Sequence, residues 1–263
     1  MIGIFDSGVG GMTVARAIEQ LLPDFQTIYF GDLARTPYGS KSDAAIVEYS
    51  IQNTEFLLDR GAQLIVIACN SASSVAADVL RQRFDVPIFE VISPAITKAV
   101  ASSVKGRIGV IGTRATIRSG VYEKKIKQAS PKVKVFSQAC PLLVPLVEEG
   151  WLQTRETKMI LRRYLHPMKL KQIDVLVLGC THYPILKSLI QSRMGKKGVT
   201  LVDSSEVTAE ALKRFLDENP AVAEKLVKGG ENRYYVSDVT ESAIATAGMI
   251  FGRRIDLVKA DHN

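Results

Sequence analysis

The stretches AQLIVIACNSA at residues 62–72 and DVLVLGCTHYP at residues 174–184 share one plan. In each, an apolar run ends abruptly at a thiol, Cys69 or Cys180, and small or polar residues follow before a segment with helical spacing. A strand that leads directly into a helix is typical of α/β proteins. Two of the three cysteines therefore occupy equivalent positions, which suits one thiol on each side of a shared substrate.

The rest of the chain repeats this alternation of short apolar runs with amphipathic stretches. The runs predicted as strands lie at 2–5, 27–30, 64–68, 88–91, 107–111, 133–136, 175–178 and 200–202. Near-continuous apolar strands suit a sheet that is covered on both faces and is largely parallel. The pattern therefore predicts an α/β fold built from mainly parallel sheets.

An internal repeat becomes visible when the two cysteines are aligned. IGIFDS at residues 2–7 resembles IGVIGT at residues 108–113, and each run ends in a hydroxyl residue. The chain is therefore expected to contain two related α/β halves, each with a strand-end loop and a strand-end thiol. Because sites in open α/β sheets form beyond the carboxyl ends of the strands, we expect the active site in a cleft between the halves.

Composition limits the classes of partner. No apolar stretch approaches the roughly 20 residues that span a bilayer, and no basic segment precedes an apolar one at the N-terminus. Three cysteines in 263 residues do not make a disulfide framework, so we expect a cytoplasmic protein without membrane contact. The net charge is +7, but basic residues occur in pairs such as Lys124-Lys125 and not in a long tract. We therefore predict no nucleic-acid partner.

Several side chains near the two thiols can take part in proton transfer. A helix N-terminus favours a thiolate, so we expect lowered pKa values for Cys69 and Cys180. Asp6 ends the first strand and His182 lies two residues after Cys180, and either group could hold or accept a proton. The sequence around Glu148 by itself indicates only a position on the surface of a helix.

Other motifs exclude common cofactor sites. The loop DSGVGG at residues 6–11 lacks both the GxGxxG spacing and a Walker lysine, so it suits a carboxylate or is a plain tight turn. Neither CxxC nor HExxH is present, and we predict no metal. The sequence around Cys140 does not match the segments around Cys69 and Cys180, so Cys140 is expected to be structural.

Together these motifs resemble the cofactor-independent aspartate/glutamate racemase family, in the form of the members that act on glutamate. The matching segments are FDSGVGG (5–11), YFGD to PYG (29–39), ACN (68–70), GT (112–113) and GCTHYP (179–184). The resemblance implies two similar three-layer α/β domains related by a pseudo-twofold axis. Residues 1–94 and 206–263 would form the first, with Cys69, and residues 95–205 the second, with Cys180.

The resemblance also implies that L- and D-glutamate are interconverted by two-base proton transfer at Cα, without pyridoxal phosphate or another cofactor. Cys69 would take the proton from D-glutamate with help from Asp6, and Cys180 from L-glutamate with help from His182 and Glu148. The implied substrate-binding residues are Asp6, Ser7, Tyr38, Gly39, Asn70, Ser71, Thr113, Thr116, Thr181 and His182. A homodimer is usual in the family, and D-glutamate would supply peptidoglycan synthesis.

One departure and three alternatives remain. The family usually has threonine where this chain has Ser71, which keeps the hydroxyl and loses a methyl group. Aspartate racemase differs only in pocket length. An amidohydrolase would use one nucleophilic cysteine with His182 as base, and a thiol-redox protein would join Cys69 to Cys180, with Cα atoms within about 7 Å.

Overall fold

A computed structural model describes residues 1–195 and 198–260, in which ten strands form two parallel sheets. The strands are β1 (Ile2–Asp6), β2 (Thr27–Gly31), β3 (Leu64–Ile67), β4 (Ile88–Glu90), β5 (Arg107–Gly112), β6 (Lys134–Ala139), β7 (Val175–Gly179), β8 (Thr200–Asp203), β9 (Arg233–Val236) and β10 (Leu257–Lys259). The first sheet has the order β10-β9-β2-β1-β3-β4 and the second has the order β6-β5-β7-β8. Every strand pair in both sheets is parallel.

Helices cover these sheets, as expected for parallel strands that are joined by crossover connections. They are α1 (Met12–Leu21), α2 (Asp43–Asp59), α3 (Asn70–Arg83), α4 (Ile92–Ser102), α5 (Arg114–Arg118), α6 (Val121–Ala129), α7 (Leu143–Glu148), α8 (Arg155–Leu170), α9 (Lys187–Met194), α10 (Ser204–Glu218), α11 (Pro220–Ala223) and α12 (Glu241–Phe251). Over the described residues, no helix is both long and apolar enough to cross a membrane.

The strand order confirms the predicted α/β fold with two similar halves. The run β2-β1-β3-β4 of the first sheet has the same order as β6-β5-β7-β8 of the second. Cys69 follows β3 and Cys180 follows β7, so the two thiols stand at equivalent strand ends. Both cysteines therefore lie at the carboxyl ends of parallel strands, where α/β proteins form their sites.

The C-terminal part of the chain was only partly predicted from its pattern. β9 and β10 extend the first sheet beyond β2, but they are short and partly exposed, so they lack the continuous apolar run that marks the central strands. β6 begins one residue later than predicted and continues to Ala139. The first sheet takes its strands from residues 2–90 and 233–259 and the second from 107–203. The domain boundaries at 94/95 and 205/206 stay a prediction.

The largest apolar core joins the two halves. It contains Ile4 and Val66 from the first sheet, Val110 and Val177 from the second, and Leu212 from α10, all fully buried. Burial of such side chains stabilises the folded state by roughly 1.5–3 kcal/mol each. The halves therefore share a continuous apolar contact behind the strand ends that carry the thiols.

Asp174 fixes the entry to β7. Its carboxylate accepts hydrogen bonds from Ser103 Oγ (2.9 Å) and from the backbone N–H groups of Lys105 (2.5 Å) and Arg107 (3.3 Å). Burial acts to raise the pKa of Asp174, but these hydrogen bonds lower it below its usual value. The carboxylate therefore ties the segment after α4 to the strand that carries Cys180.

We expect Asp174→Ala to lower the free energy of unfolding by about 1.5–3 kcal/mol, because hydrogen bonds to a charged group are lost. Folding lowers this pKa, so the stabilisation is present above the unfolded value of about 3.9 and is lost as the pH falls through the folded value. Urea unfolding at about pH 7 and about pH 3 should show the difference shrinking in acid. Asp217→Ala is the control, because Asp217 makes only an exposed ion pair with Lys213. Equal effects of the two substitutions would contradict the assignment.

Candidate active site

The two thiols face one small enclosed cavity between the halves. Cys69 and Cys180 are each 5% exposed, and the cavity holds about 20 Å³, little more than one water molecule. Its lining consists of Ser7, Thr36, Pro37, Tyr38, Gly39, Cys69, Asn70, Ser71, Thr113, Val144, Cys180, Thr181 and His182. Three wider surface cavities of about 440–560 Å³ contain neither thiol, so chemistry and not size identifies the site.

The structure brings most of the predicted site residues to this wall but places three of them behind it. Asp6 lies behind Thr181, and Glu148 lies behind His182. Thr116 contacts Ser71 and Thr113 without lining the cavity. Conversely, Thr36, Pro37 and Val144 line the cavity and were not predicted. Thr36 and Pro37 directly precede Tyr38 in a motif that the sequence does reveal, whereas Val144 has no signal of its own.

Cys69 is held as a thiol. It directly precedes α3, and its Sγ lies 3.7 Å from Ser7 Oγ. Burial and the charge of Asp6 raise the pKa of Cys69 to about 12, although hydrogen bonds with the Ala72 backbone and Ser7 act in the opposite direction. The expected lowering of this pKa by the helix N-terminus is therefore wrong, because desolvation outweighs the helix in a closed cavity.

The glycine loop after β1 binds the chain's own carboxylate. Oδ2 of Asp6 accepts the backbone N–H groups of Gly8 and Gly11, both at 3.0 Å, and Oδ1 accepts the hydroxyl of Thr181 at 3.3 Å. Burial raises the pKa of Asp6, while the charge of His182 and these hydrogen bonds oppose the rise. Asp6 thus acts on Cys69 through its charge, but its direct contact in the other half is Thr181, next to Cys180.

The same loop lies against the histidine of the other half. A Cβ atom on Gly10 would stand 2.4 Å from Nδ1 of His182, and one on Gly11 would stand 2.2 Å from Cβ of Asp6. Both distances are far below van der Waals contact, so only glycine fits at these positions. The glycines allow the two halves to approach each other closely at the site.

Cys180 has a different set of neighbours from Cys69. Its Sγ lies 3.9 Å from Nδ1 of His182, and Nε2 of His182 lies 3.2 Å from Oε1 of Glu148. Burial lowers the pKa of His182, but its contact with Cys180 and the charge of Glu148 raise it to about 10. The neighbours of His182 therefore favour its protonated, positively charged form. The main-chain carbonyl of Glu148 accepts the hydroxyl of Ser242, which fixes the end of α7 against α12.

Three hydroxyl groups meet across the cleft. Ser71 Oγ lies 2.9 Å from Thr113 Oγ1 and 3.5 Å from Thr116 Oγ1, and the two threonine oxygens are 3.1 Å apart. Thr113 also caps α5, because its Oγ1 accepts the backbone N–H of Thr116 at 3.2 Å. Such hydroxyls can turn their O–H bonds toward a carboxylate.

A buried network holds the wall that contains Tyr38. The Tyr38 hydroxyl donates to Oδ2 of Asp32 and accepts from Nδ2 of Asn53 at 3.0 Å. Asp32 is further bound by Arg35 Nε (2.6 Å) and by the hydroxyl of Ser237 (3.1 Å), which follows β9. Burial and Asp32 raise the pKa of Tyr38, so its hydroxyl is a structural donor and not an acid.

Buried polar atoms without hydrogen-bond partners concentrate at this site. Within residues 1–195 and 198–260, such atoms include Thr36 Oγ1, Asn70 Nδ2, Glu148 Oε1 and His182 Nε2; the Glu148 and His182 atoms are at ion-pair distance from each other without hydrogen-bond geometry. A buried polar group without a partner costs free energy, so their clustering points to a polar ligand. In the same part of the chain, no group of three His, Cys, Asp or Glu side chains is arranged to hold a metal ion.

Known proteins match the chain over nearly its whole length. A model of the Asp/Glu/hydantoin racemase family matches residues 11–212. The glutamate racemase of Geobacter metallireducens is 44% identical over 254 residues, which are 97% of this chain and 93% of the relative. The crystal structure of a glutamate racemase from Bacillus anthracis superposes with a TM-score of 0.92 at 34% identity and covers 99% of this chain and 97% of the other. The glutamate racemase from Francisella tularensis, solved in complex with D-glutamate, gives a TM-score of 0.90 at 33% identity, with 100% and 97% coverage.

We expect Glu148→Gln to lower the pKa of His182 from about 10, because the substitution removes a negative charge beside the imidazolium. The measurement is an NMR titration of ¹⁵N-labelled histidine, which is tractable because the chain has three histidines. Glu149→Gln is the matched control, since Glu149 is exposed and should leave the titration unchanged. An unchanged pKa in Glu148→Gln would show that Glu148 does not stabilise the cation.

Proposed function

Because this chain belongs to the Asp/Glu/hydantoin racemase family, we propose that it interconverts L- and D-glutamate by moving a proton at Cα between Cys69 and Cys180. The observation that carries the proposal is the pair of buried thiols, which face one cavity from equivalent strand ends of two similar halves. Eight curated relatives at 40–49% identity are glutamate racemases.

Inversion needs a base on one face of Cα and an acid on the other. A thiolate takes the Cα proton, and the electron pair of the broken C–H bond stays on the substrate as a carbanion. The thiol on the opposite face then donates its proton to that pair, so the two cysteines exchange protonation states. The raised pKa of Cys69 makes its thiolate a strong base once it forms, which matches the weak acidity of the substrate.

The surrounding groups divide into two roles. Asp6 would assist Cys69 and His182 with Glu148 would assist Cys180, in keeping with the charge of Asp6 near Cys69 and the contact of His182 with Cys180. The hydroxyls and amides of the wall would bind the carboxylates of glutamate; they belong to Ser7, Tyr38, Gly39, Asn70, Ser71, Thr113 and Thr181, with Thr116 behind them. Preorganised donors of this kind also stabilise charge that develops during deprotonation.

Glutamate is larger than the closed cavity of about 20 Å³, so the proposal requires the two halves to separate for entry. The contacts between the halves include an exposed set, in which Arg118 binds Asp43 (2.6 Å) and the carbonyl of Lys41 (3.2 Å), and the buried hydrogen bond from Thr181 to Asp6 (3.3 Å). Exposed ion pairs of this type contribute roughly 0–1 kcal/mol. Closure would then exclude water from the reacting carbon.

The alternatives explain less of the site. The resemblance to an aspartate racemase from Picrophilus torridus, 20% identical with a TM-score of 0.56, concerns the fold alone. An amidohydrolase would leave one of the two facing thiols without a role, and a redox protein would pair cysteines that are all free and buried. We further propose that the enzyme works in the cytoplasm as a homodimer and supplies D-glutamate for peptidoglycan.

The test is exchange of the Cα proton for solvent deuterium, run separately on L- and D-glutamate. The wild type should exchange and invert both enantiomers. Cys69→Ser and Cys180→Ser should each reduce inversion by about 10³-fold or more, because each removes the acid or base on one face.

Cys140→Ala is the matched control, because Cys140 is buried but does not line the cavity. It should retain inversion. Normal racemisation by Cys180→Ser would overturn the two-base account, and release of ammonia from glutamine would support the hydrolase.

The unequal neighbours of the thiols predict unequal isotope effects. Enantiomers have equal free energies in water, so kcat/KM must remain equal in the two directions for every variant. Asp6→Asn should instead raise the isotope effect with Cα-deuterated D-glutamate and lower it with L-glutamate, because proton transfer at Cys69 becomes rate-limiting. His182→Asn should do the reverse. Identical changes in both variants would show that the helpers are not specific to one face.

A further inference from the structure

Tyr122 makes a hydrogen bond that crosses from the second half to the first. It lies on α6, is 2% exposed, and its hydroxyl donates to Oδ1 of Asn70 at 2.7 Å. Asn70 is the residue that follows Cys69 and begins α3. A side chain of the half that carries Cys180 therefore contacts the residue beside the other thiol.

The ring of Tyr122 also packs beside the strand that carries Cys180. A Cβ atom on Gly179 would stand 3.4 Å from Cε2 of Tyr122, which is van der Waals distance. Gly179 directly precedes Cys180. One side chain thus lies beside the residue before one thiol and binds the residue after the other.

The donor and acceptor roles in this pair follow from counting protons. Burial, together with the charges of Glu90 and Cys180, raises the pKa of Tyr122 well above its usual value, so the phenol keeps its proton. Among the described residues, the Tyr122 hydroxyl donates its hydrogen bond to Oδ1 of Asn70. Because Oδ1 of Asn70 accepts this hydrogen bond, the NH₂ group of the same amide remains available to donate to a second partner.

The NH₂ group of Asn70 is available to a ligand in the cavity. Asn70 is 2% exposed and lines the cavity wall. Its Nδ2 has no hydrogen-bond partner within the described part of the chain. The NH₂ group can only donate, so its partner in a bound ligand must be an acceptor such as a carboxylate oxygen.

We propose that Tyr122 is a positioning residue, which holds the Asn70 amide so that its NH₂ group donates to a carboxylate of the substrate. The inference rests on the proposed function, since glutamate supplies the carboxylate. Without the phenol hydroxyl, the amide can rotate and present its oxygen to the carboxylate, which repels it. Both enantiomers carry the same carboxylates, so the effect applies to both directions.

The test is Tyr122→Phe, which removes one oxygen atom and keeps the ring beside Gly179. We expect kcat/KM for both enantiomers to fall roughly tenfold, as for the loss of about 1.4 kcal/mol. Most of the change should appear in KM, because the amide binds the carboxylate before and during proton transfer. In an Asn70→Ala background the same substitution should have no further effect, because the group that it positions is gone.

Tyr234→Phe is the matched control. Tyr234 is 5% exposed and its hydroxyl donates to Glu19 Oε1 at 2.8 Å, away from the cavity. It should lower the melting temperature to a similar extent and leave KM unchanged, which separates positioning from general loss of stability. Wild-type KM in Tyr122→Phe, or additive effects of Tyr122→Phe and Asn70→Ala, would overturn the proposal.

A second variant tests the orientation of the amide without changing Tyr122. Asn70→Asp keeps an oxygen for the phenol and replaces the donor by a carboxylate oxygen, so KM should rise at least as much as in Asn70→Ala. Glutamate binding as tight as in wild type would show that Nδ2 does not face the substrate. If the wild type itself does not invert glutamate, the proposed function fails; if only these variants behave like wild type, the role of Tyr122 fails.

Discussion

The buried carboxylate of Asp6 is the constraint on which the site depends. A charged group sealed from water must receive its hydrogen bonds from the protein, and here the donors come from both halves: two backbone N–H groups of the glycine loop and the hydroxyl of Thr181. This requirement shapes the loop after β1 and brings it against His182. The same carboxylate links the two halves at the strand ends that carry the thiols.

Equivalent backbone positions have acquired different electrostatics. The four-strand order repeats between the sheets, but Cys69 lies in the field of an anion and Cys180 lies beside a cation that is paired with Glu148. An anion disfavours a neighbouring thiolate and a cation favours it. The two thiols therefore have different electrostatic surroundings, and Cys69 is held as a thiol. The charges of a bound substrate would add to this difference between the surroundings of Cys69 and Cys180.

The sequence predicted the parts that depend on local pattern. The central strands and the strand-end cysteines follow from apolar runs that end at a polar residue, and these positions agree with the structure. The short edge strands β9 and β10 lack such runs, and Val144 reaches the cavity only through the packing of α7. The pKa of Cys69 was predicted in the wrong direction because it depends on closure of the cleft, which is a property of two segments far apart in the chain. Long-range contacts of this kind leave no local signal.

The position of β9 has a consequence for the order of events during synthesis. β9 pairs with β2, and Ser237 at its end binds Asp32, which in turn holds Tyr38. The wall beside Cys69 is therefore incomplete until the chain has been made past residue 237, whereas all strands of the second sheet have been synthesised by then. A nascent chain that folds from its N-terminus meets the finished second half before it can finish the first. The cleft is thus completed last, and a chain that ends before β9 contains both thiols but lacks the Ser237 contact that supports the wall beside Cys69.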